Sequence, residues 1–116
     1  MNRRGAYKGH GTDADLESYL GIEGVTAAAL ASADGLVVAA AGDHEFDLEA
    51  LAVHGAAALS SARGLARDGG IKSPRFIALD LVEKAVILAS LNDELFLVLT
   101  GGRRILSLPA ESSLFA

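Results

Sequence analysis

The sequence predicts an α+β domain, with a five-stranded antiparallel sheet between helices in the order α-β-β-α-β-β-β. Three observations carry that expectation. Two apolar runs, residues 24–31 (GVTAAALA) and 36–41 (LVVAAA), flank Ser32-Ala33-Asp34-Gly35, a hairpin pattern because glycine accepts the positive φ of the turn. One long segment, from Asp47 to about Asp68, repeats its apolar residues at helical spacing. Three more apolar runs, residues 75–81, 84–91 and 95–100, then follow with connections too short for a crossover, so they form a meander.

Taken in order, residues 1–11 are polar and glycine-rich, without a hydrophobic period, and read as a mobile tail before a domain over 12–100. Thr12-Asp13-Ala14-Asp15 offers a helix N-cap, Leu16 and Leu20 form an i, i+4 apolar pair, and Gly21 stops that short helix. The two runs of the hairpin do not alternate polar with apolar. They are expected to be buried on both faces, which requires helices on both sides of the sheet, although runs this rich in alanine also suit a helix by propensity.

Asp47 is the expected N-cap of the long helix, with Phe46 and Leu51 spaced as a hydrophobic staple around it, and Gly69-Gly70 ends it. Pro74 favours an extended chain ahead of the third strand. The segment 101–116 is open between a short helix and an extra edge strand, broken by Pro109. No internal repeat is evident.

Composition narrows the function. Hydrophobic residues make up 51% of the 116, too many for a disordered chain, yet no apolar run approaches the roughly 20 residues of a membrane span. The net charge of −5 and the lack of a basic footprint argue against nucleic acid. Arg3-Arg4 has no apolar segment behind it, so no secretory signal is expected and the cytoplasm is the default location. The absence of cysteine excludes disulfides, thiolate metal sites and cysteine nucleophiles. No G-x-x-x-x-G-K-[ST] or G-x-S-x-G motif occurs. Gly9-His10-Gly11 and Asp43-His44-Glu45 contain metal-capable groups, but the acids around Asp47 are better read as complementing a helix dipole. Arg103-Arg104 reads as a solvated basic pair rather than an arginine finger. Neither a cofactor nor a metal is expected.

The long helix is the informative element. At about 100° per residue, Leu48, Leu51, Ala52, Gly55, Leu59, Ala62 and Ala66 form a stripe that can cover the sheet. The opposite side reads Ala50, Val53, His54, Ala57, Ser60, Ser61 and Gly64, with Glu49, Arg63 and Arg67 on a narrow flank. A helix small or apolar nearly all round wants burial on two sides, so this face is read as a helix–helix contact with a second subunit. A simply exposed alanine-rich helix is the alternative. If the first and last strands pair in the middle of the sheet, the strand at 75–81 lies at an edge, where Phe76, Ile77 and Leu79 leave an aggregation liability that pairing with a symmetry mate would remove; with Arg75 they form the strand's part of the expected contact.

With Gly24-Val25, the Ser32-Ala33-Asp34-Gly35-Leu36-Val37-Val38-Ala39 hairpin, Asp47-Leu48-Glu49-Ala50-Leu51-Ala52 opening an alanine-rich helix, and the runs KAVILASL and LFLVLT, the chain resembles the roadblock / dynein light chain family over residues 13–100. The resemblance implies sheet order 2-1-5-4-3, an architecture like that of longin and profilin domains, and a dimer made through the long helix and third strand. It further implies a non-catalytic platform that regulates a small Ras-like GTPase, as in gliding motility, or a subunit of a larger complex. The expected partners are a second copy or a paralogue, plus a GTPase or other protein. A small-molecule sensor module of similar architecture is the alternative, disfavoured by the few aromatic residues.

Overall fold

A computed structural model describes residues 12–43 and 45–111. The elements are α1 (Thr12–Leu20), β1 (Val25–Ser32), β2 (Val37–Gly42), α2 (Leu48–Gly69), β3 (Phe76–Asp80), β4 (Lys84–Ser90) and β5 (Leu95–Gly102). A 3-10 segment (Arg103–Ser107) and a short α3 (Leu108–Glu111) follow. The strands form one antiparallel sheet in the order β2-β1-β5-β4-β3. Expectations for residues 1–11, for the cap around Thr12 and Asp13, and for His44 lie outside the described residues and side chains.

The sheet has an apolar core on each face. Beneath α1, Leu16 packs with Val25, Ala28, Leu30, Ile87, Leu97 and Leu99. Beneath α2, Leu48, Ala52 and Leu59 pack with Ala29, Ala31, Val86, Leu88, Phe96 and Val98. The alternation of β1, β4 and β5 residues between these two sets is why their sequences are apolar without a break. Alanines dominate β1 because small side chains let helices close on both faces. Gly55 serves the same end on α2, where a Cβ would lie 3.0 Å from the Phe96 ring.

Gly35, at φ +91°, turns the β1–β2 hairpin as the Asp-Gly pair predicts, and its N–H donates to Ser32 O at 2.9 Å. The Asp47 carboxylate accepts from the Ala50 N–H at 3.1 Å and caps α2. At the other end, Gly70 adopts φ 74° while Ile71 N–H reaches back to Ala66 O at 2.8 Å, the left-handed stop that glycine favours. Removing the cap with Asp47→Ala is expected to cost ~1 kcal/mol, a thermal shift of about 4–8 °C. A melt of the variant unchanged from that of the parent would show that the first turn of α2 needs no cap.

Two expectations are corrected. Strand β2 is not buried on both faces: Val37, Ala39 and Ala41 are buried while Val38 and Ala40 are half-buried, because β2 is an edge strand. Pro109 does not break the C-terminal segment. It stands in the first turn of α3, where its missing N–H costs nothing. That segment also extends β5 to Gly102 and sinks Ile105 fully into the α1-side core.

Candidate interaction surface

The stripe predicted to cover the sheet does so: Leu48, Ala52, Gly55, Leu59 and Ala66 are buried, with Leu51 and Ala62 half-buried. On the far side of α2, Ala50, Val53, His54, Ala57, Ser60 and Ser61 are exposed and Gly64 is half-buried, with Val53 57% accessible. The β1–β2 turn closes against this helix at Val53, since a Cβ on Gly35 would sit 3.2 Å from the Val53 Cα. That contact sets exposed Leu36 in the turn beside the same helix. The flank is polar: the Arg63 guanidinium donates to Ser90 Oγ at 3.1 Å, and Arg67 meets Asp68 at 3.4 Å.

Strand β3 is at the sheet edge, as expected. Arg75, Phe76 and Leu79 are exposed and Ile77 is half-buried. Its ladder with β4 places Ile77 and Leu79 opposite Leu88 and Val86, on the α2 side, and Phe76 opposite Ala89, on the α1 side. The strand's part of the predicted contact set therefore divides between two faces, with Ile77 and Leu79 on that of α2 and Phe76 on the other. Helix α2 packs mainly on β1, β2, β4 and β5, which leaves Leu79 38% accessible.

Sequence reasoning missed other exposed apolar residues: Leu36, Leu65, Leu81 and Val82. Val82 is also the sole non-glycine residue with positive φ among the described residues, at +75°. The signal was present, because a link as short as Leu81-Val82-Glu83 without glycine or asparagine forces some side chain into that region.

Below β3 and β4 the charges are internally paired. Arg103 grips Asp80 with two hydrogen bonds of 2.9 and 2.7 Å, and the same carboxylate accepts the Val82 N–H at 3.0 Å. The Arg103 hydrogen bonds, then that of Val82, hold the Asp80 carboxyl below its ordinary range. Lys84, at 3.0 Å, does the same for Glu45. The contribution of such pairs is present above the ordinary carboxylate value and is lost as the pH falls through the lowered one. Arg104 binds Glu23 at 2.7 Å. An open cleft of about 620 Å³ lies between Ile22, Glu23, both arginines, Leu106 and Leu108. With both guanidiniums engaged by carboxylates, neither extends as a finger. Among the described residues no cluster of three or more His, Asp or Glu could hold a metal ion, and no helix is long and apolar enough to cross a membrane.

The family model of the Roadblock/LC7 domain matches residues 11–100 of the sequence. The chain belongs to that family. Its fold is similar to a Roadblock/LC7 domain from Streptomyces avermitilis, with TM-score 0.75 and 20% identity over 89% of each chain. It is also similar to the gliding protein MglB of Thermus thermophilus, with TM-score 0.68 and 20% identity over 77% of this chain and 69% of that one. For Myxococcus xanthus MglB the values are 0.63 and 18% over 69% of this roadblock chain, which spans just under two thirds (66%) of MglB. At these identities the likeness is one of fold. No curated protein sequence matches.

Proposed function

We propose that this roadblock domain is a homodimeric, non-catalytic adaptor that binds and regulates a small Ras-like GTPase or seats it in a larger complex. The observation that carries the reading is the pair of surfaces on α2 and β3. One is a helix face of Ala, Ser and Gly around Val53, open to close approach by another helix; the other is an apolar sheet edge that α2 leaves uncovered. A second copy continuing the sheet at β3 would bring its own α2 onto the same face and cover both surfaces. MglB, which is similar in fold, has been solved with a tetrameric arrangement, so assembly of several copies has a precedent among proteins of this fold. The cleft beside Arg103 does not favour a ligand sensor, being open and internally neutralised.

The reading has two tests. Light scattering is expected to give the wild type about twice its 11.9 kDa chain mass. Val53→Glu is expected to give the monomer with an unchanged fold, since an exposed position accepts charge while a dry helix contact does not. A monomeric wild type would overturn the dimer. For the regulatory half, titrating a purified small Ras-like GTPase with the protein is expected to yield a complex and a changed rate of nucleotide hydrolysis. Neither effect with any such GTPase from the same cell would sink it.

A further inference from the structure

Between α2 and β3 the chain runs free of its own ladders. Ile71 N–H closes the cap of α2 on Ala66 O, and Arg75 O opens the sheet by accepting from Ser90 N–H, both at 2.8 Å. Residues 72–74 between them belong to no helix or strand and make no backbone hydrogen bond among the described residues. Ile71, Lys72 and Ser73 are all exposed. The ring of Pro74 disfavours helical backbone in the residue before it, which biases Ser73 towards an extended conformation.

Ser73 also differs from the other hydroxyls. Ser32, Ser90 and Ser107 donate to Asp34, Asn92 O and Arg104 O, and Thr26 pairs with the buried Thr100. The hydroxyls of α1 and α2 stand within helices, which would have to unwind before another protein could draw one into its own site. Ser73 has neither restraint, since its hydroxyl has no hydrogen-bond partner among the described residues. Its neighbours are basic. Lys72 precedes it without an ion-pair partner among the described residues, and Arg75 follows Pro74. The stretch Lys72-Ser73-Pro74-Arg75 is thus locally positive in a chain of net charge −5.

We propose that Ser73 is a phosphorylation site for a protein serine kinase whose substrate groove is acidic and accepts proline after the serine, and that the phosphate holds the chain as a monomer. The second half rests on the dimeric reading above; the first does not. In the step, Ser73 Oγ attacks the γ-phosphorus of a nucleoside triphosphate. The Oγ–P bond forms as the bond from that phosphorus to the β-phosphate oxygen breaks. The hydroxyl proton passes to the kinase's carboxylate base, and the nucleoside diphosphate leaves. Such a reaction requires the hydroxyl in line with the phosphoryl group, which an extended link without backbone bonds permits. The two cations select an acidic groove by charge.

The consequence is electrostatic. A phosphoserine adds a charge of about −1.5 to −2 at pH 7, beside an exposed lysine that offsets only one unit. Its place is three residues beyond the Gly70 cap, close to the end of α2 where the helix dipole is negative, and just ahead of β3. Those are the elements whose surfaces the dimeric reading buries. Two copies at −5 each already repel, and the phosphate places a further like charge on both sides of one contact.

Mass spectrometry of the chain isolated from its native cells, growing and starved, is expected to find one phosphate on the peptide carrying Ser73. The same peptide from Ser73→Ala is expected to carry none. Absence of phosphate at Ser73 in both states would overturn the site. For the consequence, phosphoserine is incorporated at position 73 and the product compared with the unmodified chain by light scattering over a dilution series. The phosphorylated chain is expected to dissociate at a concentration at least about tenfold higher, with an unchanged circular dichroism spectrum, and added salt is expected to narrow the gap. Equal dissociation, or a loss of helical signal, would overturn control of the dimer by charge and leave the site standing. An unmodified chain that is monomeric throughout would overturn the dimeric reading instead, with the phosphate on Ser73 still deciding the site.

Discussion

Gly101→Ala is expected to be among the most damaging one-carbon additions in this chain. Gly101 lies on β5 opposite Val25, at the bulged start of the β1–β5 pairing. A Cβ there would stand 2.0 Å from Gly24 O and 3.2 Å from the Ile105 Cγ2. The first obstacle is backbone, so no side chain can swing aside. Gly24 itself adopts φ +96° and accepts the Gly102 N–H at 3.3 Å, so the segment that would have to retreat is already constrained. Since β1 and β5 are adjacent inner strands of the sheet, opening this contact strains both cores. A cost of about 3 kcal/mol, the upper part of the range for overpacking, corresponds to a fall in Tm of more than about 10 °C for a domain of this size. The neighbouring Gly102→Ala provides the comparison, because a Cβ there meets nothing within 4 Å. Thermal denaturation of the two variants side by side decides it. Equal melting temperatures would mean that β1 and β5 part here without penalty.

The same two glycines show what is legible in the sequence and what is not. Signals made by neighbours along the chain can be read: Asp34-Gly35 as a hairpin, Asp47 as a cap, Gly69-Gly70 as a stop, and the short links after Leu81 and Leu91 as a meander. The uncharged face of α2 can also be read, because helical spacing alone brings Ala50, Val53, Ala57 and Gly64 together. Features made by residues distant in sequence cannot. Nothing in Gly101-Gly102 indicates that a Cβ would collide with Gly24 at the first and meet open space at the second, and nothing in Arg103-Arg104 indicates that the two arginines reach Asp80 and Glu23 respectively. Register sets which side of β3 carries Phe76, so the contact set read as one patch divides between two faces. Pro109 misleads because a breaker inside a helix and an acceptable first-turn residue differ only in where the helix begins.

Ala78→Pro is expected to convert the dimer completely to monomer without unfolding the chain. Proline removes a backbone donor and is tolerated in sheets at edge positions whose N–H points away from the neighbouring strand. Ala78 is such a position, since the bonds of β3 to β4 are made by the odd-numbered residues on either side. The substitution therefore leaves the intramolecular ladder whole. It deletes an outward donor of the edge strand and sets a pyrrolidine ring where a second copy would continue the sheet. One lost hydrogen bond is worth about 0.5–1.5 kcal/mol in a folded chain, but here the loss occurs in both copies and the strands cannot approach around the ring. The control is Leu79→Pro, one residue along, which removes a donor that faces β4 and is expected to unfold the domain. Circular dichroism and light scattering on the pair separate the outcomes. A folded dimer in Ala78→Pro would place the interface on α2 without β3, and the helix face around Val53 would then have to hold two copies together without sheet continuation.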